Sequence, residues 1–141
     1  EITLKDKINA ANDLNIISEN DITLKNSILS TANNLSMTAV NNINIWQSDI
    51  KGKDITAISR HGDILFHNGD QFGYLWRQHS TNDHPVSNKL DAVNNLTINS
   101  GKNLLLQNVY LQPGKNIALI ANNNVTVENH ADTYNFAKSK T

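Results

Sequence analysis

Cysteine is absent from this 141-residue sequence, proline occurs twice, and aromatic residues make up only 6%. Without cysteine the chain can form neither a disulfide framework nor a thiolate metal site. No apolar run approaches the roughly 18 residues of a membrane-spanning helix. Twelve Lys and Arg balance thirteen Asp and Glu, all scattered, so the sequence lacks the basic stripe of nucleic-acid binders and the charge block of membrane-surface binders.

Asparagine, in contrast, is the most frequent residue type in the chain. Asn tolerates the left-handed backbone region and hydrogen-bonds to its own backbone, so a chain this rich in Asn either turns very often or is disordered. The regular recurrence of Ile, Leu and Val argues against disorder. We therefore expect one domain with many turns, long enough to bury a core.

One short phrase recurs along the chain, most often apolar, polar, apolar, and this alternation predicts half-buried β-strands. Residues 33–45 contain it twice, as Leu35-Ser36-Met37 and Ile43-Asn44-Ile45. In ten of the eleven copies Asn or Asp directly precedes the phrase, which adds a turn signal to each strand. The copies begin at Ile2, Leu14, Ile22, Leu35, Ile43, Ile55, Ile64, Leu96, Leu104, Ile117 and Val125.

Short and long steps alternate between the starting points of successive copies, and one much longer step separates Ile64 from Leu96. Because of this alternation the period is the sum of a short and a long step, about 20 to 21 residues. The long step also contains a third, weaker strand at Ile28-Leu29, Ile50 and Val109-Tyr110-Leu111, with Ile8 at the equivalent place in the first turn. This spacing predicts an all-β fold, a parallel β-helix (solenoid) with three short strands per turn.

Two other folds fit the spacing poorly. Helical repeats need apolar residues at positions i, i+3, i+4 and i+7 over ten or more residues, and the sequence does not supply them. A β-sandwich also places its strands at short, regular intervals, but it is not expected to keep one alternating spacing through eleven strands.

The solenoid makes specific packing predictions, since its turns stack about 4.8 Å apart. Ile43 and Ile45 point into the core and Asn44 points outward. The period predicts an apolar ladder of Ile2, Ile22, Ile43, Ile64, Leu104 and Val125, and a hydrogen-bonded corner ladder of Asn20, Asn41 and Asn123. Because the step from Ile64 to Leu96 is close to three ordinary steps, the period predicts six to seven turns.

The phrases and connections such as SILSTANN and SDIKGKDITA resemble the haemagglutinin repeats of two-partner-secreted bacterial exoproteins. That family includes filamentous haemagglutinin, related haemolysins and contact-dependent growth inhibition exoproteins. Its turn glycine is kept at Gly62-Asp63-Ile64 and at Gly101, while Asn replaces it in residues 41–43 and 122–125. The resemblance covers residues 1–66 and 89–127.

The resemblance implies a right-handed β-helical stalk that is exported through an outer-membrane two-partner transporter and displayed at the bacterial cell surface. In that family the repeats mostly extend the protein, while adhesion, receptor binding or toxin activity maps to other segments. We therefore expect a structural and adhesive role associated with virulence, no catalytic residue and no cofactor. Because the opening EITLKDK is already repeat sequence, we expect residues 1–141 to be one β-helical domain of a longer chain.

Residues 67–89 abandon the phrase. Two structural interpretations are open, a degenerate turn that keeps the stacking or an extended excursion that leaves the helix and returns. Residues 128–141 form a comparable polar extension, and the two arms could pack side by side. A third interpretation is a binding surface for a host-cell or bacterial receptor or glycan, because exposed Tyr, Trp and Arg anchor interfaces and aromatic rings stack on sugars. Its candidate residues are Phe72, Tyr74, Trp76, Arg77, His79 and His84.

Catalytic chemistry has little support in the sequence, although some parallel β-helices degrade polysaccharides. Hydrolysis needs two carboxylates about 5 to 9 Å apart. Asp21 and Asp63 align on stacked turns, but Asn42 lies between them. Asp49 ends a Trp-Gln-Ser-Asp run that is similar to a lyase strand motif, and we expect it at a solvated corner.

A metal site is equally weakly supported. His79 and His84 could hold a metal ion only if the segment supplied a third ligand, such as Asp83 or His67. We therefore expect none.

Overall fold

The computed structural model describes residues 1–67 and 87–128, which form sixteen β-strands and no helix. Accordingly, these residues contain no helix that could cross a membrane. The strands pair in parallel to make three sheets, and consecutive strands of the chain enter the three sheets in rotation. The predicted all-β parallel solenoid with three strands per turn is confirmed.

Each sheet collects one strand from every turn. Sheet 1 contains β1 (Ile2–Leu4), β4 (Ile22–Lys25), β7 (Ile43–Trp46), β10 (Ile64–His67), β13 (Leu104–Gln107) and β16 (Val125–Glu128). Sheet 2 contains β2 (Lys7–Ala10), β5 (Ile28–Thr31), β8 (Asp49–Gly52), β11 (Asn88–Ala92) and β14 (Val109–Pro113). Sheet 3 contains β3 (Leu14–Ser18), β6 (Leu35–Ala39), β9 (Ile55–Ser59), β12 (Asn95–Ser100) and β15 (Asn116–Ala121).

The predicted apolar ladder runs along sheet 1 without a register shift. Its members pair directly, turn after turn: Ile2, Ile22, Ile43, Ile64, Leu104 and Val125. Ile43 and Ile45 are fully buried and Asn44 between them is partly exposed, as the strand alternation requires. Full burial of one such side chain contributes roughly 1.5–3 kcal/mol, and this applies to the four inner members of the ladder, Ile22, Ile43, Ile64 and Leu104.

The weak third strand is also confirmed, because Ile8, Leu29, Ile50 and Leu111 all lie in sheet 2 and point toward the core. The phrase did not reveal β11, which begins at Asn88, one residue before the end of the segment where the repetition was expected to fail. Its inward residues Leu90 and Ala92 are buried among the same core side chains.

The Asn and Asp residues that precede the phrases lie at the corners of the β-helix, where their side chains form hydrogen bonds between turns. The side-chain oxygen of one turn accepts the backbone N–H of the equivalent residue in the next turn: Asn42 N donates to Asp21 (2.8 Å), Asp63 N to Asn42 (2.9 Å) and Asn103 N to Asp63 (3.0 Å). These bonds satisfy backbone donors where the sheet ladder is interrupted. The corner entering sheet 3 uses the same device, since Asn34 N donates to Asp13 and Asn95 N to Asp54.

The predicted ladder of Asn20, Asn41 and Asn123 is only partly correct. Asn41 Nδ2 donates to Asn20 Oδ1 at 2.7 Å. Asn123, however, bonds through its backbone N–H to Lys102, which in turn donates to Gly62. Gly62 and Lys102 therefore occupy the corner position between Asn41 and Asn123, and the ladder of Asn side chains is interrupted at these two residues.

The prediction of six to seven turns is wrong for the described residues, which form five complete turns and the first strand of a sixth. Ile64 pairs with Ile43 on one side and with Leu104 on the other, so no turn fits between the fourth and the fifth. β10 and β11 belong to the same turn, and residues 68–86 between them lie outside the described part of the chain, so both structural interpretations of the break stay predictions. Five turns correspond to a rise of about 24 Å along the axis.

Replacing Ile43 by Asp tests the inward assignment. Ile43→Asp places an unpaired charge between Ile22 and Ile64, and we expect a loss of more than about 4 kcal/mol in the free energy of unfolding. The matched control, Asn44→Asp, adds a charge on the outer face and should change stability by less than about 0.5 kcal/mol. Urea unfolding monitored by circular dichroism measures both, and a larger effect of Asn44→Asp would reverse the assignment.

Gly101→Ala tests the tightness of the corner stacking. A Cβ at Gly101 would collide with the backbone carbonyl of Arg60 one turn below, so we expect a loss of about 1–3 kcal/mol. At Gly52 the nearest atom, Leu35 Cβ, would lie 3.3 Å from the new methyl group, so Gly52→Ala should cost less. Equal losses in chemical denaturation would contradict the close approach of these corner backbones.

Candidate functional site

The candidate binding residues Phe72, Tyr74, Trp76, Arg77, His79 and His84 lie outside the described residues. The structure does describe the two residues of the β-helix, called the coil below, between which this segment lies in the sequence. His67 ends β10 and Asn88 begins β11, so these two residues frame the corner between sheets 1 and 2 in the fourth turn. We call this corner the root.

Stacked side chains line the outer side of the root. Lys25, Trp46 and His67 are paired in register on the outer face of sheet 1. The Trp46 and His67 rings stack with centroids 5.7 Å apart and planes 18° apart, and Lys25 Nζ lies 5.7 Å from the Trp46 ring. Aromatic stacking and the cation–π contact tie three successive turns together. The signal was present in the sequence, since each of the three directly follows a phrase and successive members stand one period apart.

Polar side chains line the inner side of the root, and none of them is exposed to solvent. Ser27, Ser48 and Asn88 occupy successive turns, all fully buried. Ser27 N donates to Ser48 Oγ (3.1 Å), and Ser48 N donates to Asn88 Oδ1 (2.9 Å). Asn88 Nδ2 donates to the carbonyl oxygens of His67 (3.0 Å) and Ile45 (3.3 Å). The buried groups therefore hydrogen-bond one another, which offsets the cost of removing them from water.

His67 is the histidine of the root. Its pKa is lowered because burial disfavours the charged imidazolium. The neutral ring on Trp46 is therefore the favoured form over a wider pH range than for an exposed histidine.

The outer faces of the sheets differ in charge. Sheet 2 carries opposite charges on neighbouring strands, with Asp49 paired to Lys89 and Lys51 to Asp91 in register. Lys89 Nζ also lies 5.9 Å from the ring of the exposed Tyr110. The outward strand positions of sheet 3 carry no charge: Asn15, Ile17, Ser36, Thr38, Thr56, Ile58, Asn95, Thr97, Asn99, Asn116, Ala118 and Ile120.

The aspartates that aligned in the sequence serve the corner. Asp21 and Asp63 lie in one column with Asn42 between them, and each accepts a backbone N–H from the following turn. Asp63 also accepts Asn103 Nδ2 at 3.3 Å. The hydrogen bonds of both carboxylates therefore join neighbouring turns of the β-helix.

Asp49 does not lie at a solvated corner, so that expectation is wrong. It is the first residue of β8, it is partly buried, and its Oδ1 is inaccessible to solvent. Asp49 is paired in register with Ile28 and with Lys89 on the neighbouring strands. Within residues 1–67 and 87–128, no three His, Asp or Glu side chains converge on a common point where a metal ion could bind.

A family model described as the hemagglutinin repeat matches residues 75–141. The matched range includes strands β11 to β16 and four of the candidate binding residues. This match confirms the resemblance inferred from the recurring phrase over residues 89–127, while the resemblance of residues 1–66 stays a prediction. No curated protein and no solved structure gives a significant match.

The stack on the outer side of the root predicts a pH dependence. Because the pKa of folded His67 lies below its ordinary value of 6.5, the unfolded chain binds the proton more readily. The stability of the wild type relative to His67→Gln should therefore be greatest above about pH 6.5 and should decline as the pH falls below it. Melting temperatures between pH 5 and 8 measure this difference, with His61→Gln, at an exposed corner, as the control. If the difference in melting temperature between the wild type and His67→Gln became larger at acidic pH, the burial of a neutral His67 ring would be contradicted.

Proposed function

We propose that this chain, in which residues 75–141 match the hemagglutinin-repeat family model, is a stalk segment of a secreted bacterial exoprotein. Such repeats are typical of filamentous haemagglutinin-like exoproteins. In this proposal the coil holds adhesive or toxic segments of an adhesin or a contact-dependent growth inhibition protein away from the cell. The proposed location is the bacterial cell surface.

The observation that carries the proposal is the unbroken axial register of all three sheets. Equivalent residues pair directly from β1 to β16 in sheet 1, from β2 to β14 in sheet 2 and from β3 to β15 in sheet 3. Each turn contacts only its neighbours, so the architecture extends by addition of turns and its length is proportional to their number. A coil of this kind suits a spacer, because backbone hydrogen bonds run along the axis and resist bending.

The same stacking supports a non-catalytic role. The polar side chains that recur most often, Asn and Asp before each phrase, donate or accept hydrogen bonds between turns. Their regular spacing is explained by the coil and does not require a reaction. The proposal also includes export through an outer-membrane two-partner transporter. Each turn that leaves the transporter offers a sheet edge on which the next turn can form.

A second candidate function is specific binding to a cell-surface receptor or glycan through residues 72–84. The observation that favours it is the root. The repeated sequence pattern is interrupted at this one corner, while every sheet keeps its register on both sides of it. Variable segments on a rigid scaffold are common places for binding residues. The aromatic and cationic residues Tyr74, Trp76 and Arg77 provide suitable anchors.

Removing whole turns tests the stalk. Deletion of residues 22–63 removes two complete periods and brings Ile64 to the position of Ile22, so β1 should pair with β10. We expect a folded chain that is shorter by about 10 Å in small-angle scattering. Deletion of residues 22–31 alone removes half a period and should abolish cooperative unfolding. If both deletions behave alike, the extendable coil is refuted.

Binding assays separate the two candidate functions. Wild type, Trp76→Ala, Arg77→Ala and the control Tyr110→Ala, whose aromatic ring is exposed on sheet 2, are applied to glycan arrays and to cultured cells. If the chain is a stalk segment, none of these substitutions should change its binding. A binding module should lose at least about tenfold in affinity with Trp76→Ala or Arg77→Ala and keep it with Tyr110→Ala.

A further inference from the structure

Residues 68–87 stand where the equivalent corners of the second, third and fifth turns have a single residue. In the second turn only Asn26 separates Lys25 from Ser27, and in the third only Gln47 separates Trp46 from Ser48. In the fifth turn Asn108 alone separates Gln107 from Val109. All three have left-handed backbone, with φ of 50°, 49° and 54°. In the fourth turn, the residues before and after this position are His67 and Asn88.

The strands on either side of the root keep their places in the stack. Ile64 pairs with Ile43 and with Leu104 in sheet 1. Leu90 pairs with Ile50 and with Leu111 in sheet 2. Replacement of residues 68–87 by one residue would make the interval from Ile64 to Leu104 equal to the interval that separates Ile22 from Ile43. The insert therefore adds sequence without displacing a strand.

The hydrogen bonds of an ordinary corner are reproduced beneath the insert. In the second and third turns, the serine hydroxyl donates to the carbonyl two residues earlier, Ser27 to Lys25 (3.3 Å) and Ser48 to Trp46 (3.1 Å). At the root, Asn88 Nδ2 makes the equivalent bond to His67 at 3.0 Å, across the whole insert.

The bond to the preceding turn is reproduced as well. Ser27 Oγ donates to Leu4 O at 2.9 Å, and Asn88 Nδ2 donates to the equivalent carbonyl of Ile45 at 3.3 Å. Asn88 Oδ1 accepts Ser48 N, just as Ser48 Oγ accepts Ser27 N. An amide side chain can reach both carbonyls and accept a bond at the same time, whereas a hydroxyl has one proton to donate.

We propose that the corner between sheets 1 and 2 is an insertion port, at which Asn88 closes the coil while residues 68–87 are carried as an exchangeable insert. Asn88 is a positioning residue, since it joins the two ends of the insert through His67 and does not itself need to contact a ligand. The coil folds independently of the insert. Segments of different binding specificity can consequently occupy this position while the coil is unchanged.

Replacing residues 68–87 by a single Asn tests the port. We expect the shortened chain to keep its β-sheet circular dichroism and cooperative unfolding. Its melting temperature should be at least equal to that of the full chain, because the ends of a 20-residue segment no longer have to be brought together at the corner. Loss of cooperative unfolding would overturn the proposal, since the insert would then be part of the fold. Cell or glycan binding is measured separately, so a negative result there affects the proposed function and not the port.

Combining the shortened chain with Asn88→Ala tests the positioning role. In the full chain Asn88→Ala should lower the melting temperature by roughly 5 °C or abolish folding, and in the shortened chain the loss should be about half as large, because the single corner residue then joins His67 covalently to β11. Ser48→Ala, at a corner without an insert, should have equal effects in both chains. Equal effects of Asn88→Ala would overturn the positioning role.

Asn88→Ser provides the milder variant if Asn88→Ala fails to fold in both chains. Serine occupies this position in the second and third turns, so the shortened chain should accept it with a change of less than about 2 °C, while the full chain should lose more. Equal tolerance of serine in the two chains would also count against Asn88 as the closure of the port.

Discussion

Axial register is the constraint on which the rest of this structure depends. Each strand can satisfy its backbone donors and acceptors only by pairing with the equivalent strand one turn away, and this pairing stacks residues of the same kind. Ile22, Ile43 and Ile64 are buried because their neighbours above and below are also apolar. Insertion or deletion of one residue within a strand would bring the polar residues that follow in that strand into the core.

The corners allow this register to persist without long loops. At two corners, Asn and Asp side chains accept backbone N–H groups from the following turn, which explains why they precede nearly every strand of sheets 1 and 3. At the third corner the buried column of Ser27, Ser48 and Asn88 replaces them. The third corner is also covered outside by the stack on Trp46, and it is the corner that carries the insert.

Local alternation and period predicted most of the coil. The eleven phrases became strands of sheets 1 and 3, and the weaker apolar residues around Leu29, Ile50 and Leu111 became sheet 2. The number of turns was not predictable in this way, because the long step between Ile64 and Leu96 fits both an additional turn and an insert. The role of Asn88 was not predictable from the sequence either, because a polar residue inside the segment without repetition gives no periodic signal.

The sequence by itself determined which residues face the core, where each turn bends and how many residues a turn contains, because these depend on alternation and turn propensity within a few neighbours. Only the tertiary structure decided which turns are adjacent and where the chain rejoins the coil after His67. Those contacts join residues a full period or more apart, and no local pattern distinguishes them. The stack of Lys25, Trp46 and His67 and the bonds of Asn88 arise from that adjacency, and with them the closed coil beneath the insert.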